Sequence, residues 1–261
     1  MRAPSRLLSA TRLRSLAAAL MTAGLLSGFT RPAAAQDTHL VVITGVAGDD
    51  DHEKQFHKLA TALLDSARTR AGLPDANLTY LGGKPDVDSA RIRGRSTREQ
   101  IENTLSDLGA RVKPNDEVFL LLIGHGSFDN QRAAFNLPGP DLTAVDWARL
   151  LDKFSAQRVI FVNTSSASGA FLPTLAAPGR TVVTATKTGG ERNETRFAQF
   201  FIEAYEDEAA DLDRNGRLSV LEAFNYAKTK VVKSYEQQGT LLTEHAALDD
   251  GTEGKLAATL F

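Results

Sequence analysis

The chain has 261 residues, with 30 lysine and arginine against 32 aspartate and glutamate, and no cysteine. The missing thiols exclude a cysteine nucleophile, a zinc–thiolate site and a thiol redox motif. The length suits one domain, or one domain with a small appendage.

The first 35 residues read as a leader rather than as part of the fold. Arg2, Arg6, Arg12 and Arg14 precede an apolar run from Leu16 to about Phe29, and Ala33-Ala34-Ala35 forms a small-x-small cleavage signature before Gln36. That order predicts a secretory signal peptide removed after Ala35. The apolar run is shorter than the roughly 20 residues that span a bilayer. The expected location is therefore periplasmic or extracellular, with no membrane span after cleavage. The leader holds five arginines and no acid, so 25 basic and 32 acidic residues remain, a net charge of −7. Such a surface argues against nucleic acid or anionic lipid as a main partner and is compatible with divalent cations.

Leu40 to Thr44 is a short apolar run ending at Gly45, as expected of a strand buried on both faces of a parallel sheet. Glu53 to about Ala71 carries Phe56, Leu59, Ala60, Leu63 and Leu64 on one helical face. The next three elements are a strand over Asn77–Leu81, a polar loop from Gly82 to Gly94, and a helix from a Ser96-Thr97-Arg98-Glu99 capping box to about Ala110. Glu117–Ile123 is the clearest strand and stops at Gly124-His125-Gly126. Thr143 to Asp146 opens another helix, ending near Phe154. Arg158–Val162 is a strand that stops at Asn163-Thr164-Ser165-Ser166, and Arg180–Ala185 is the last strand. Helices follow over Glu194–Glu206 and about Ser219–Gln237, then a polar, glycine-rich tail. Alternating strands and helices predict an α/β fold with a mostly parallel sheet sandwiched by helices. In such sheets the functional groups gather at the carboxyl ends of the strands.

Two of those ends carry chemistry. His125 is suited to general-base work near neutral pH, and the flanking glycines admit close backbone approach, with the Gly126 N–H available to an oxyanion. A plain strand-end turn accounts equally well for this motif alone. The hydroxyl-rich turn Asn163–Gly169 can hold a nucleophile, although serine, threonine and asparagine are ordinary turn residues. Together, Gly124-His125-Gly126 and, some forty residues on, Ser166-Ala167-Ser168-Gly169 resemble the caspase-like (clan CD) peptidases, closest to the legumain-like peptidase C13 family. Phe135–Asp141 also resembles the stretch after the histidine motif in bacterial members. In that family the His-Gly motif supplies the base and an oxyanion donor, and a Cys-x-Ser-Gly motif supplies the nucleophile. The resemblance implies a caspase-like αβα sandwich over 36–207, with His125 as base, Gly126 as oxyanion donor, and Ser166 at the nucleophile's position. Thr164 falls where an acid often sits. A serine needs a hydrogen-bonded base, usually oriented by an acid; Asp129 and Asp146 are the candidates.

The third motif is Asp211-Leu212-Asp213-Arg214-Asn215-Gly216-Arg217-Leu218-Ser219-Val220-Leu221-Glu222, which matches an EF-hand loop. Asp211, Asp213 and Asn215 offer oxygens at positions 1, 3 and 5. Gly216 makes the sharp turn, the Arg217 carbonyl and Ser219 serve positions 7 and 9, and Glu222 closes position 12. A helix-loop-helix holding one structural calcium over 208–261, packed on the same domain, is the expectation. Asp249–Gly254 is acidic but lacks the spacing of a second loop. Asp49-Asp50-Asp51-His52-Glu53, with His57, reads as a helix N-terminus favouring negative charge rather than a metal cluster. Three functions follow: a degenerate peptidase retaining its cleft for a peptide or protein ligand, a serine-dependent hydrolase using His125 and Ser166, or a calcium-dependent interaction module.

Overall fold

A computed structural model of the chain describes residues 36–261; the expected signal peptide lies outside the described residues. A seven-stranded sheet forms the middle layer. Its strands are β1 (Thr38–Thr44), β2 (Leu78–Gly82), β3 (Gly94–Arg95), β4 (Glu117–Ile123), β8 (Arg158–Asn163), β9 (Arg180–Thr184) and β10 (Ala247–Asp249), in spatial order β10-β9-β8-β4-β1-β2-β3. All neighbours pair in parallel except β10, which runs antiparallel to β9. A small antiparallel sheet follows β4: β5 (Gly126–Phe128), β6 (Ala133–Phe135) and β7 (Leu142–Thr143).

The helices cover both faces, which is why the central strands are apolar throughout instead of alternating. Leu40, Val42, Phe119, Leu121, Ile160 and Val162 face α1 (Asp50–Thr69), α5 (Phe197–Ala204) and α6 (Val220–Gln238). Val41, Ile43, Leu120, Leu122, Val159 and Phe161 face α2 (Arg98–Arg111), α3 (Ala144–Leu151) and α4 (Leu172–Leu175), around a fully buried Trp147. Every residue of β4 is buried. This is the mostly parallel, helix-flanked sheet that the sequence pattern predicts.

Local signals decide the helix ends, with some corrections. Asp49 caps α1 by accepting the Asp51 and His52 N–H groups, as the acidic run implies. The capping box at Thr143 and Asp146 forms as expected. At α2 the cap is Thr97, not Ser96; Ser96 is buried and donates instead to the Thr44 carbonyl at 2.6 Å. Helix α5 starts at Phe197, three residues after the expected Glu194, because the segment before it is diverted into tertiary contacts. The tail is also more ordered than its polarity implies. It supplies β10, buries Leu260, and sends Glu244 into the N-terminus of α5. The segment before the acidic loop departs from a helix-loop-helix: α5 ends at Ala204, and only a 3-10 turn, Glu208–Ala210, leads into residue 211.

Candidate functional site

Strands β4 and β8 are neighbours in register, with Leu122 opposite Asn163. Their carboxyl ends therefore deliver the two loaded turns side by side. The Gly126 N–H points at the Ser166 hydroxyl oxygen, 3.4 Å away, and that hydroxyl donates to the Gly126 carbonyl at 3.1 Å. A β-carbon at residue 126 would lie 2.3 Å from the Ser166 carbonyl oxygen, so only glycine permits this approach.

The histidine is fixed from the other side. His125 Nε2 lies 3.1 Å from the Ala47 carbonyl oxygen, which can only accept. Nε2 therefore carries a proton, and in the neutral ring Nδ1 keeps its lone pair. The ring packs edge-on against Phe56 and His52, at 5.5 and 5.1 Å between centroids. Among the described residues no hydrogen bond joins His125 to Ser166.

The serine turn is braced from below. Ser165 donates to Asn163 Oδ1 at 2.7 Å. Ala167 adopts a left-handed φ of 56° that lets the chain reverse directly after Ser166. Ser168 and Gly169 both bond the Thr186 hydroxyl, which pins the turn to the segment after β9. Thr164 is not an electrostatic partner for the cleft: its hydroxyl donates to the Leu122 carbonyl.

A cleft of about 510 Å³ opens over these groups, between the start of α1, the turn after β8, residues 193–199 and the tail at 240–243. His125 and Ser166 both line it. Its one basic side chain besides histidine, Arg196, lies 4.2 Å over the Tyr235 ring and donates to Gln238 and Ser234.

No model of a known protein family matches the chain, and no curated protein is similar to it. Solved structures are. The Drosophila initiator caspase Dronc superposes with a TM-score of 0.53 at 12% identity, covering 86% of this chain and 84% of that one. The chain has a caspase-like fold. Protein GSU0716 from Geobacter sulfurreducens is similar as well, with a TM-score of 0.51, 12% identity, and coverage of 82% and 92%.

In this caspase-like frame neither expected acid serves His125. Asp129 accepts the Gln131 and Arg132 N–H groups in the β5–β6 turn, which lower its pKa. Asp146 caps α3 and bonds Arg98 at 2.9 Å, and the guanidinium holds its carboxyl far below the usual range. The group that orients the ring is a backbone carbonyl, Ala47, which no residue-type pattern signals. His52, at the N-terminus of α1, stands beside the cleft with its ring against that of His125. Its Nδ1 lies 2.7 Å from Asp49 and its Nε2 3.4 Å from Glu194. His57 lies apart, against Tyr80 and Asp88.

At residues 211–222 the carboxylates of Asp211, Asp213 and Glu222 each place an oxygen within 4.8 Å of the others. Gly216, at φ 81°, donates its N–H to Asp211 at 2.8 Å. Glu222 accepts from Leu212 on one oxygen and from Ser219 on the other, closing the loop onto α6. The Arg217 guanidinium stacks 3.7 Å over Phe261. The three carboxylates bring hard oxygens together, which suits calcium better than a softer metal.

Proposed function

We propose that this chain is an exported, legumain-like relative of the caspases that no longer cuts peptides and keeps its cleft to hold a peptide or protein segment. The observation that carries this is the Ser166 hydroxyl, which donates to the Gly126 carbonyl and makes no hydrogen bond to His125. A thiol in that place ionises on its own to a few per cent at neutral pH and is intrinsically nucleophilic. A hydroxyl must hand its proton to a base in contact at the moment of attack. Here His125 makes no contact with the hydroxyl, holds Ala47 through Nε2, and has no supporting carboxylate among the described residues.

The serine-hydrolase reading has one observation in its favour. The Ala47 contact leaves Nδ1 of a neutral His125 free to accept, and the Gly126 N–H adjoins Ser166. Incubating the purified protein with peptide libraries and with a fluorophosphonate probe decides between the two. We expect neither turnover nor labelling. Turnover that disappears in Ser166→Ala would establish the serine enzyme instead.

Calcium belongs to the same proposal. Asp211, Asp213, Asn215 and Glu222, with the Arg217 carbonyl and Ser219, would hold it, and the ion would relieve the mutual repulsion of the three carboxylates. An isolated loop of this kind is expected at roughly 10⁻⁴ to 10⁻³ M. Glu222→Gln removes one carboxylate charge, and calorimetric titration should then detect no calcium binding. Unchanged binding would remove the loop from the proposal. If loss of calcium also abolished binding of a partner, the calcium-dependent interaction module would be favoured over the cleft.

A further inference from the structure

His52 is held by two carboxylates from different elements, at the edge of the cleft. Asp49, at the N-terminus of α1, meets Nδ1 at 2.7 Å; Glu194, in the segment between β9 and α5, meets Nε2 at 3.4 Å. Carboxylates accept and cannot donate, so both contacts are made only by the doubly protonated ring. A neutral ring has one N–H and must give up one partner. Asp49 is fixed regardless, because its carboxylate also caps α1. Glu194 has no other hydrogen-bond or ion-pair partner among the described residues. The longer contact is therefore the one that fails.

Its failure would be local. On either side of Glu194 the segment is anchored: the Ala167 N–H bonds the Glu191 carbonyl at 2.7 Å, and the Thr195 hydroxyl bonds the Thr164 carbonyl at 2.5 Å. Asn193 and Glu194 sit between these anchors, exposed, on the rim of the cleft.

We propose that His52 is a proton-operated latch: its imidazolium ties Glu194, on the rim of the cleft, to the N-terminus of α1 beside His125, and loss of the proton releases that rim. The latch adds regulation to the cleft reading above and rests on it for its purpose, not for its geometry. The titratable groups facing the ring are Asp49 from the cap of α1, Glu194 from the segment after β9 and His125 from the turn after β4. The Asp49 hydrogen bond first, then Glu194, raises the pKa of His52 above the ordinary 6.5. The latch is thus complete at acidic pH and is lost as pH rises through a value above that one.

The chain contains no cysteine, so the Ser166→Cys variant carries a single thiol at the floor of the cleft. Its rate of reaction with a polyethylene-glycol maleimide, divided by its rate of disulfide formation with methyl methanethiosulfonate, reports access at any pH, since the thiolate fraction cancels. We expect this ratio to rise roughly two- to five-fold across the His52 transition, the scale of one partly exposed ion pair. Adding Glu194→Gln should fix the ratio at its high value throughout. A ratio that stays flat with pH, or that Glu194→Gln leaves unchanged, would overturn the latch. NMR titration of the His52 Hε1 signal is the second measurement: its midpoint should fall toward the ordinary value in Glu194→Gln, and an unmoved midpoint counts against the proposal. Neither measurement involves turnover or a ligand, so each stands apart from the fate of the cleft reading.

Discussion

Peptide hydrolysis should appear when Ser166 is replaced by cysteine, at a rate on the order of 10²-fold or more above the native chain, the scale contributed by one engaged acid–base group. The frame needed by a thiol is otherwise present. Gly126 directs its N–H toward the side chain of residue 166, beside which the oxyanion of an attacked carbonyl would form. The Ser166 N–H has no acceptor among the described residues, so a second donor is free. His125 is held by Ala47 through Nε2, which leaves Nδ1 free to take the thiol's proton and then pass it to a leaving amine. The new activity should be abolished by iodoacetamide and by adding His125→Ala. If the thiol reacts with iodoacetamide at an ordinary rate while no peptide is cut, the cleft does not preserve a catalytic arrangement. The caspase likeness would then be architectural only.

Under this proposal, serine fails in the same frame because of which atoms touch. The Ser166 hydroxyl has a carbonyl within reach and uses it; sulfur is a weak donor and leaves that carbonyl with little hold on it. A hydroxyl oriented toward a carbonyl must first break that bond before any base can take its proton. Nothing in the turn compels it to do so.

How much of this was legible before the fold was known depends on the range of each interaction. Glu117–Ile123 and Arg158–Asn163 stand out because strands buried on both faces are continuous apolar runs, and their ends place His125 and Ser166 without further information. Strands β5 and β6, at three residues each, are too short to leave a period. The tail strand β10 pairs with β9 from more than sixty residues away, and its three residues are too few to signal that partner. The same holds within the site. A residue type signals His125, but Ala47 acts through its carbonyl, which every residue possesses. His52 and Glu194 become partners only when α1 and the segment after β9 are brought to one cleft. That long-range contact, with the Thr195 bond to Thr164 and the Arg196 N–H bond to Glu244, also draws residues 194–196 out of the helix that their propensities favour.

Gly169 shows the converse, a sequence motif whose meaning is purely steric. A β-carbon there would lie 2.2 Å from the Lys187 carbonyl carbon and 2.3 Å from the Thr188 nitrogen. Those atoms are backbone, tied down by Thr186 through Ser168 and Gly169 itself, so they cannot swing aside as a flexible side chain would. Gly169→Ala should therefore cost about 3 kcal/mol, the upper range of overpacking, and lower Tm by roughly 6–12 °C for a domain of this size. Gly179→Ala is the control. Gly179 has φ 77° with no atom closer than 3.9 Å to a new β-carbon, so only left-handed strain of about 1 kcal/mol applies. Denaturant titration of the two variants separates the effects. Equal losses would mean that residues 186–188 yield, and that the turn bearing Ser166 is not held by the segment after β9. A threefold larger loss at Gly169, with slower thiol alkylation when it is combined with Ser166→Cys, would locate that hold at the contact between the two turns.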